Sequence, residues 1–276
     1  MFRRYRPGIV PFLSHIADLL YYIRSVPQSL LLGTKGCLTR LSINNSALLG
    51  CISLLTKLEN DVIWDFPEVD KHYTVEPLGN VPKKRIYSAI KRAFDFIVSA
   101  IAIVLLLIPM TIIALLIIVD SPGKPIYTQL RLGKNEKPFK LLKFRSMYSD
   151  AEETGIRGAE ENDERVTKIG KWIRKTRVDE LPQLFNILIG QMSIVGPRPE
   201  RPEFYDLFDM YIDGFRQRMV VIPGLTGLAQ VNGGYDLKPE EKIVYDMQYI
   251  RERSIKTDMI CILQTVGVIL GRKGAR

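Results

Sequence analysis

The sequence predicts an α+β, helix-rich fold: one main domain over residues 81–276, with an accessory segment over residues 1–80 before it. Three observations predict this. An apolar run from Phe96 to Val119 carries no charged residue. Two short β-prone stretches follow it, joined by Lys134-Asn135-Glu136-Lys137. Beyond them, apolar residues recur three and four apart in several segments, the spacing of amphipathic helices.

Composition narrows the classes of function. With 276 residues, 46% of them hydrophobic, the chain can bury a sizeable core, so disorder is not the default. A formal net charge of +9 points to an anionic partner without choosing between nucleic acid, anionic lipid and a phosphorylated substrate. Cys37, Cys51 and Cys261 are odd in number, widely spaced and without a CxxC pair, which suggests neither a disulfide framework nor a zinc site. A reducing, cytosolic face fits them. The two histidines, His15 and His72, lie upstream of the motif-dense half, so Ser-His-Asp, Cys-His and HExxH chemistry lack their key group. Proton transfer falls to carboxylates.

Residues 1–80 show apolar positions at mixed spacing, with turn residues at Pro27, Gly33 and Asn44-Asn45. An accessory helical segment packed on the membrane or on the main domain is the expectation. The apolar stretch Ile9 to Leu32 is interrupted by His15, Asp18 and Arg24 and lacks a clear small-residue cleavage site, so no cleaved signal peptide is expected.

The main domain opens on the basic cluster Lys83, Lys84, Arg85, Lys91 and Arg92, before the apolar run. A straight helix of that length measures roughly 36 Å, enough to cross a hydrocarbon layer of about 30 Å. Pro109, in the middle, removes a backbone hydrogen bond and favours a bend. Both flanks are basic, because Lys124, Arg131, Lys134, Lys137, Lys140, Lys143 and Arg145 follow the run. A span would put one group on the wrong side of the membrane. A re-entrant helix over about 86–119, broken at Pro109 and returning to the same face, satisfies both observations. The residues alone leave it level with an ordinary span.

After the turn Asp120-Ser121-Pro122-Gly123, the stretches PIYTQLRLG and PFKLLKFRSM predict a short β-hairpin. Helices are expected over Val166 to Lys175, Glu180 to Gly190 and Pro239 to Arg253. The last apolar stretch, Met259 to Leu270, is too short to span and suits an amphipathic interfacial or docking helix.

The chemistry concentrates in RKTRVDELPQLFNILIGQMSIVGPRPE, residues 174–200. Thr176 reads as a helix cap with Asp179 three positions on, and Pro182 suits a first turn, so Asp179 and Glu180 fall at or near a helix start. Acids there also serve simply to complement a helix dipole, so the pair alone is weak. Its company is more telling: Arg174, Lys175 and Arg177 precede it, and the turn Gly196-Pro197-Arg198-Pro199 follows. A carboxylate that binds a divalent cation, with arginine forks nearby, suits a diphosphate, although Arg198 by itself reads more readily as a surface-turn arginine. The block RQRMVVIPGLTGLAQVNGG carries Arg216, Arg218 and glycines at 224, 227, 233 and 234. Those glycines admit backbone amides to a ligand or make ordinary loops, and both readings stay open.

In this order the blocks resemble the bacterial sugar transferase family, the monotopic phosphoglycosyl transferases that start polysaccharide and glycoconjugate assembly. The matching pieces are KRAFDF, DSPGKPIYTQLRLGKNEKPFKLLKFRSM, RVDELPQLFNIL, MSIVGPRPE and IPGLTGLAQVNG, within about Lys83 to Leu270. The resemblance implies a re-entrant helix on the cytosolic leaflet of the bacterial inner membrane, a UDP-sugar donor, an undecaprenyl phosphate acceptor and Mg²⁺ at Asp179. It implies Asp179 as nucleophile, Glu180 as its dyad partner, and Arg174, Arg198 and Arg218 near the phosphates. Lys143 and Arg145, in KLLKFRSM, join the phosphate-binding candidates. Two positions depart from the family pattern: Ile108-Pro109 stands where Ser-Pro is common, and Leu228 where tryptophan is common.

Three other readings compete. A glycosyl transferase releasing UDP is weakened by the lack of an evident DxD motif, and a non-catalytic scaffold on anionic lipid by the intact Asp179, Glu180 and Arg198. A nucleic-acid partner explains the charge but not the 24-residue apolar run, so none is expected. Membrane lipid is an expected partner, and a homodimer is left open.

Overall fold

The computed structural model describes residues 72–82, 84–151, 163–233 and 237–270. The expectations for residues 1–71, for Lys83 and for Gly234 lie outside the described residues. In chain order the elements are β1 (Tyr73–Thr74), α1 (Arg85–Asp120), β2 (Ile126–Leu132), β3 (Pro138–Phe144), α2 (Lys168–Lys175), α3 (Gln183–Leu188), β4 (Ser193–Val195), α4 (Pro202–Asp209), β5 (Ile212–Asp213), β6 (Gly224–Thr226), α5 (Leu228–Asn232), α6 (Pro239–Glu252) and α7 (Ile255–Leu270). The fold is mixed helix and strand, as the sequence predicts. Among the described residues the strands form three two-stranded sheets, β2 with β3 antiparallel, and β1 with β5 and β4 with β6 parallel.

Helix α1 runs for 36 residues and remains helical through Pro109, where the sequence favours a bend. Close to the proline, Thr111 Oγ1 donates to the Leu107 carbonyl at 2.8 Å, one turn back along the helix. One face of α1 is packed along its length. Ala102, Ile103 and Leu106 meet Phe139 and Leu141 of β3 and Leu184 and Ile187 of α3; Met110, Ile113 and Ile117 meet Phe144 and Ile173. The other face shows Val104, Leu105, Ile108, Leu115 and Val119, the last 85% exposed. An apolar helix so exposed associates with a membrane.

Both ends of α1 are tied to the same body. Lys84 Nζ donates to the Arg253 carbonyl at 2.8 Å, while Tyr87 and Lys91 reach Asp258 at 2.8 and 2.9 Å. At the far end Asp120 accepts from the Ile169 amide at 2.9 Å. Arg145 donates to the carbonyls of Ser121 and of Pro122, the latter at 2.6 Å, which places a cation at the helix C-terminus. Lys84, Lys91 and Arg145, counted in the sequence as flanking charge, are thus engaged by the protein itself. This weakens the inference from charge counts, because a side chain's partner is invisible in composition.

The hairpin forms as expected, with Ile126 opposite Phe144 and Leu132 opposite Pro138. Its tip turns through Asn135 and Glu136 at φ 53° and 60°, a left-handed turn for which asparagine is suited. On β3, Phe139 and Leu141 face the core, and Lys143 shares their parity. Asn186 of α3 docks on this strand: its Oδ1 accepts from the Leu142 amide at 3.0 Å, and its Nδ2 donates to the Lys140 carbonyl at 2.8 Å.

The largest core lies among α4, α6 and α7, where Phe204, Tyr205, Phe208, Ile243, Met247 and Ile250 pack with Phe215. Each such fully buried side chain contributes about 2 kcal/mol. Val75 and Leu78 of the strand-like lead-in pack on this core too.

Candidate active site

Helix α2 ends at Thr176, whose hydroxyl donates to the Trp172 carbonyl at 2.9 Å. Thr176 therefore closes the preceding helix, whereas the sequence suggested that it opens the next. The physical reason is Arg177, which adopts the left-handed φ of 57° and reverses the chain. A single 3₁₀ turn, Val178–Glu180, follows, and Pro182 then leads into α3. The left-handed Arg177 stands two residues before Asp179, and backbone strain of this kind clusters at functional sites.

This turn buries Asp179, which is 8% exposed. Lys143 Nζ stands 3.9 Å from Asp179 Oδ2 and 3.3 Å from Glu180 Oε1. Arg198 pairs with Glu180 through both terminal nitrogens. Burial lifts the pKa of Asp179 and the adjacent Glu180 charge adds to the rise, over the opposing pull of Lys143, Arg198 and Arg174. Burial also acts to lift Glu180, but Arg198 and Lys143, with Arg177 beyond them, outweigh it and hold that carboxyl at about 2. Two adjacent acids are thus driven in opposite directions.

Arg198 owes its place to the meeting of β4 and β6. The Gly196 amide donates to the Thr226 carbonyl at 2.8 Å, and the Gly224 amide to the Pro197 carbonyl at 2.9 Å. A Cβ on Gly224 would lie 2.1 Å from the Gly196 nitrogen, and one on Gly227 would lie 2.2 Å from the Gly196 oxygen. Gly224 and Gly227 let two backbones cross, a packing role that the sequence did not single out.

The expected site residues divide into two groups. Asp179, Glu180, Lys143 and Arg198 come together, and half-buried Arg174 in the last turn of α2 adds its charge to Asp179. Arg218 and Arg145 are turned inward. Arg218, its side chain 1% exposed, pairs with Asp246 at 2.6 Å, lies over the Phe215 ring and donates to the Arg198 carbonyl at 2.9 Å. Arg145 holds the end of α1 as described. Pro109 lies within α1.

Sequence reasoning passed over Arg131, Glu200 and Asp246. Arg131 donates to the Pro199 carbonyl at 3.0 Å and pairs with Glu200, so both carbonyls flanking the second proline of the turn are held by arginines. A signal for Asp246 exists: it falls in the apolar stripe Ile243, Met247, Ile250 of α6, where an acid must find a buried cation. Burial raises its pKa to about 6 against the pull of Arg218.

Among the described residues no group of three or more His, Cys, Asp or Glu is arranged for a metal ion. Glu180 is engaged by Arg198 and Lys143, which leaves Asp179 as the carboxylate donor. Mg²⁺ binds through one or two carboxylates with waters and substrate phosphates, so this donor set fits an ion arriving with a diphosphate.

A family model described as bacterial sugar transferase matches residues 86–272. A UDP-N-acetylgalactosamine-undecaprenyl-phosphate N-acetylgalactosaminephosphotransferase of Aeromonas hydrophila is 42% identical over 208 residues, 74% of this chain and 49% of that protein. A UDP-glucose:undecaprenyl-phosphate glucose-1-phosphate transferase of Klebsiella pneumoniae is 42% identical over 197 residues, 70% of this chain and 42% of that protein. The chain thus spans half or less of the length of these two relatives. An exopolysaccharide production protein PSS of Rhizobium leguminosarum bv. phaseoli is 41% identical over 186 residues, 64% of this chain and 93% of that protein.

Proposed function

Because this chain belongs to the bacterial sugar transferase family, we propose that it transfers a sugar 1-phosphate from a UDP-sugar to undecaprenyl phosphate, releasing UMP through a covalent intermediate on Asp179. One observation carries this reading: a buried carboxylate, made more basic by its surroundings, lies among Lys143, Arg198 and Arg174. Basicity favours nucleophilic attack, and the cations offer oxyanion stabilisation in a water-poor site.

An oxygen of Asp179 attacks the phosphorus that bears the sugar. The bond from that phosphorus to the bridging oxygen breaks, and UMP departs with the electron pair. A phosphate oxygen of the acceptor then attacks the same phosphorus, the bond to Asp179 breaks, and the carboxylate is restored. Glu180, held ionised, orients Arg198 and Lys143 toward the phosphoryl oxygens. Asp179 is the side chain that would hold Mg²⁺, which would supply charge neutralisation to the diphosphate.

The acceptor is lipid-borne, so the site must lie beside a bilayer. We assign α1 as a re-entrant helix at the cytosolic face of the inner membrane. What supports this is that both its ends are bonded to one body while its outer face is apolar. On α7, Met259, Ile260, Leu263 and Val266 expose a further apolar face suited to the interface.

The test uses the detergent-purified full chain with Mg²⁺ and a panel of UDP-sugars. UMP release and a sugar-phosphate adduct are expected from one or more donors, and neither from Asp179→Asn. Release of UDP, or an adduct that persists in Asp179→Asn, overturns the reading.

A further inference from the structure

The candidate site is assembled from two elements that carry different halves of it. Glu180 lies three residues before α3 begins, and Arg198 three residues after β4 ends. The contact between them depends on how α3 sits against β4, and the connection between those elements, residues 189–192, is short. Two side chains of α1 grip either side of this connection.

Arg92 donates through Nη1 to the Ile187 carbonyl and through Nη2 to the Leu188 carbonyl, both at 2.7 Å. It therefore closes the C-terminus of α3, where a cation meets both the open carbonyls and the negative end of the helix dipole. Gly190 beside it adopts φ +84°, which favours glycine, and a Cβ there would sit tightly, 3.3 Å from the guanidinium carbon. One turn further along α1, Asp95 accepts from the Ile194 amide at 3.0 Å, in the middle of β4. Asp95 is 3% exposed. A buried acid on a lipid-associated helix carries a large desolvation cost, and its placement against a backbone amide gives that cost a return.

Arg92 and Asp95 are three residues apart and so share one face of α1. Beyond Ile194 the path to the site is stiff. The Val195 carbonyl lies 3.2 Å from the Tyr249 hydroxyl that donates to it, the Gly196 amide bonds to β6, and prolines flank Arg198 on both sides. A shift of β4 is carried along this path to Arg198.

We propose that Arg92 and Asp95 are positioning residues: α1 serves as a jig that fixes α3 against β4 and so sets the Glu180–Arg198 contact. On this view the membrane helix is part of the active-site framework as well as an anchor. The inference rests on the transferase reading only for its kinetic readout.

The experiment combines kinetics with a distance measurement on the full chain in detergent. Asp95→Ala is expected to lower kcat/KM for UMP release about tenfold, while Asp95→Asn, which keeps an acceptor for the Ile194 amide, stays within about twofold of the unaltered protein. In an Arg198→Ala background, Asp95→Ala is expected to cost less than about twofold more, since its effect runs through Arg198. If the full tenfold loss recurs in that background, the side chain acts elsewhere and the proposal fails. Arg92→Lys, whose ammonium cannot fork onto two carbonyls, carries the same test should Asp95→Ala not fold. Independently of any activity, spin labels at Ile189→Cys and Glu203→Cys, with Cys37, Cys51 and Cys261 replaced by alanine, are expected to give a narrow distance distribution that broadens with Asp95→Ala or Arg92→Lys. An unchanged distribution in both variants overturns the proposal even if no donor is ever turned over; absence of UMP release with a broadened distribution overturns the transferase reading alone.

Discussion

Arg198 meets Glu180 with two guanidinium nitrogens, Nη2 on Oε1 and Nη1 3.5 Å from Oε2. This fork fixes the charge on Glu180, and that charge in turn helps to lift its neighbour Asp179. The two acids therefore have opposite relations to the stability of the fold, and that difference is measurable.

Asp179→Asn is expected to raise the thermal midpoint in detergent, while Glu180→Gln lowers it. Asp179 has a raised folded pKa, so it costs the fold stability as pH rises above its unfolded pKa, in full once pH passes the folded value, and a neutral isostere removes that cost. Glu180, held at about 2, contributes stability that is present above its unfolded pKa and lost as pH falls through about 2. Equal shifts of the same sign would show that the two carboxyls do not occupy contrasting environments.

The acid limb of the kcat/KM profile should report the ionisation of Asp179 and should move when its neighbours are neutralised. Glu180→Gln removes a charge that raises the pKa, so the limb moves to lower pH; Lys143→Met removes one that lowers it, so the limb moves to higher pH. Profiles of initial rate against pH for the three proteins decide the matter. Parallel shifts in both variants would contradict the assignment of the limb.

Gly224→Ala should cost more than about 3 kcal/mol, because its Cβ would lie 2.1 Å from a backbone nitrogen that has no room to retreat. Denaturation of the purified protein is the check. Gly79→Ala, in open space but at φ +58°, serves as the contrast, with a penalty of only about 1 kcal/mol.

Arg145→Met should destabilise by about 3 kcal/mol while leaving the KM for the sugar nucleotide within about twofold. Its guanidinium is spent on the carbonyls that end α1. A large rise in KM with unchanged stability would return Arg145 to the phosphate-binding group in which the sequence placed it.

Much of this architecture was legible in the residues, and the parts that were not share a cause. The hairpin could be read because Tyr127 to Leu132 and Phe139 to Phe144 are β-prone and flank a turn. The helix α6 could be read from Pro239 and the stripe Ile243, Met247, Ile250. The pairing of β4 with β6 could not, since three residues carry no period and the partners lie about thirty residues apart. The segment holding Asp179, Glu180 and Arg198 stood out because acids, arginines and prolines crowd it. Which of the other cations share their surroundings did not: Arg218 and Lys143 look alike as letters, yet one is sealed against Asp246 and the other stands between the two acids. Charge is written in a sequence, whereas its partner is supplied by long-range folding.

The packed face of α1 has a practical consequence. Leu106, Met110, Ile113 and Ile117 pack over Phe144 and Ile173 in one buried cluster. Deleting the helix to obtain a water-soluble version would strip the cover from that interior and invite clumping. The same helix face that completes this interior carries, on its other side, the apolar residues left open by the fold, so anchoring and core packing cannot be altered independently.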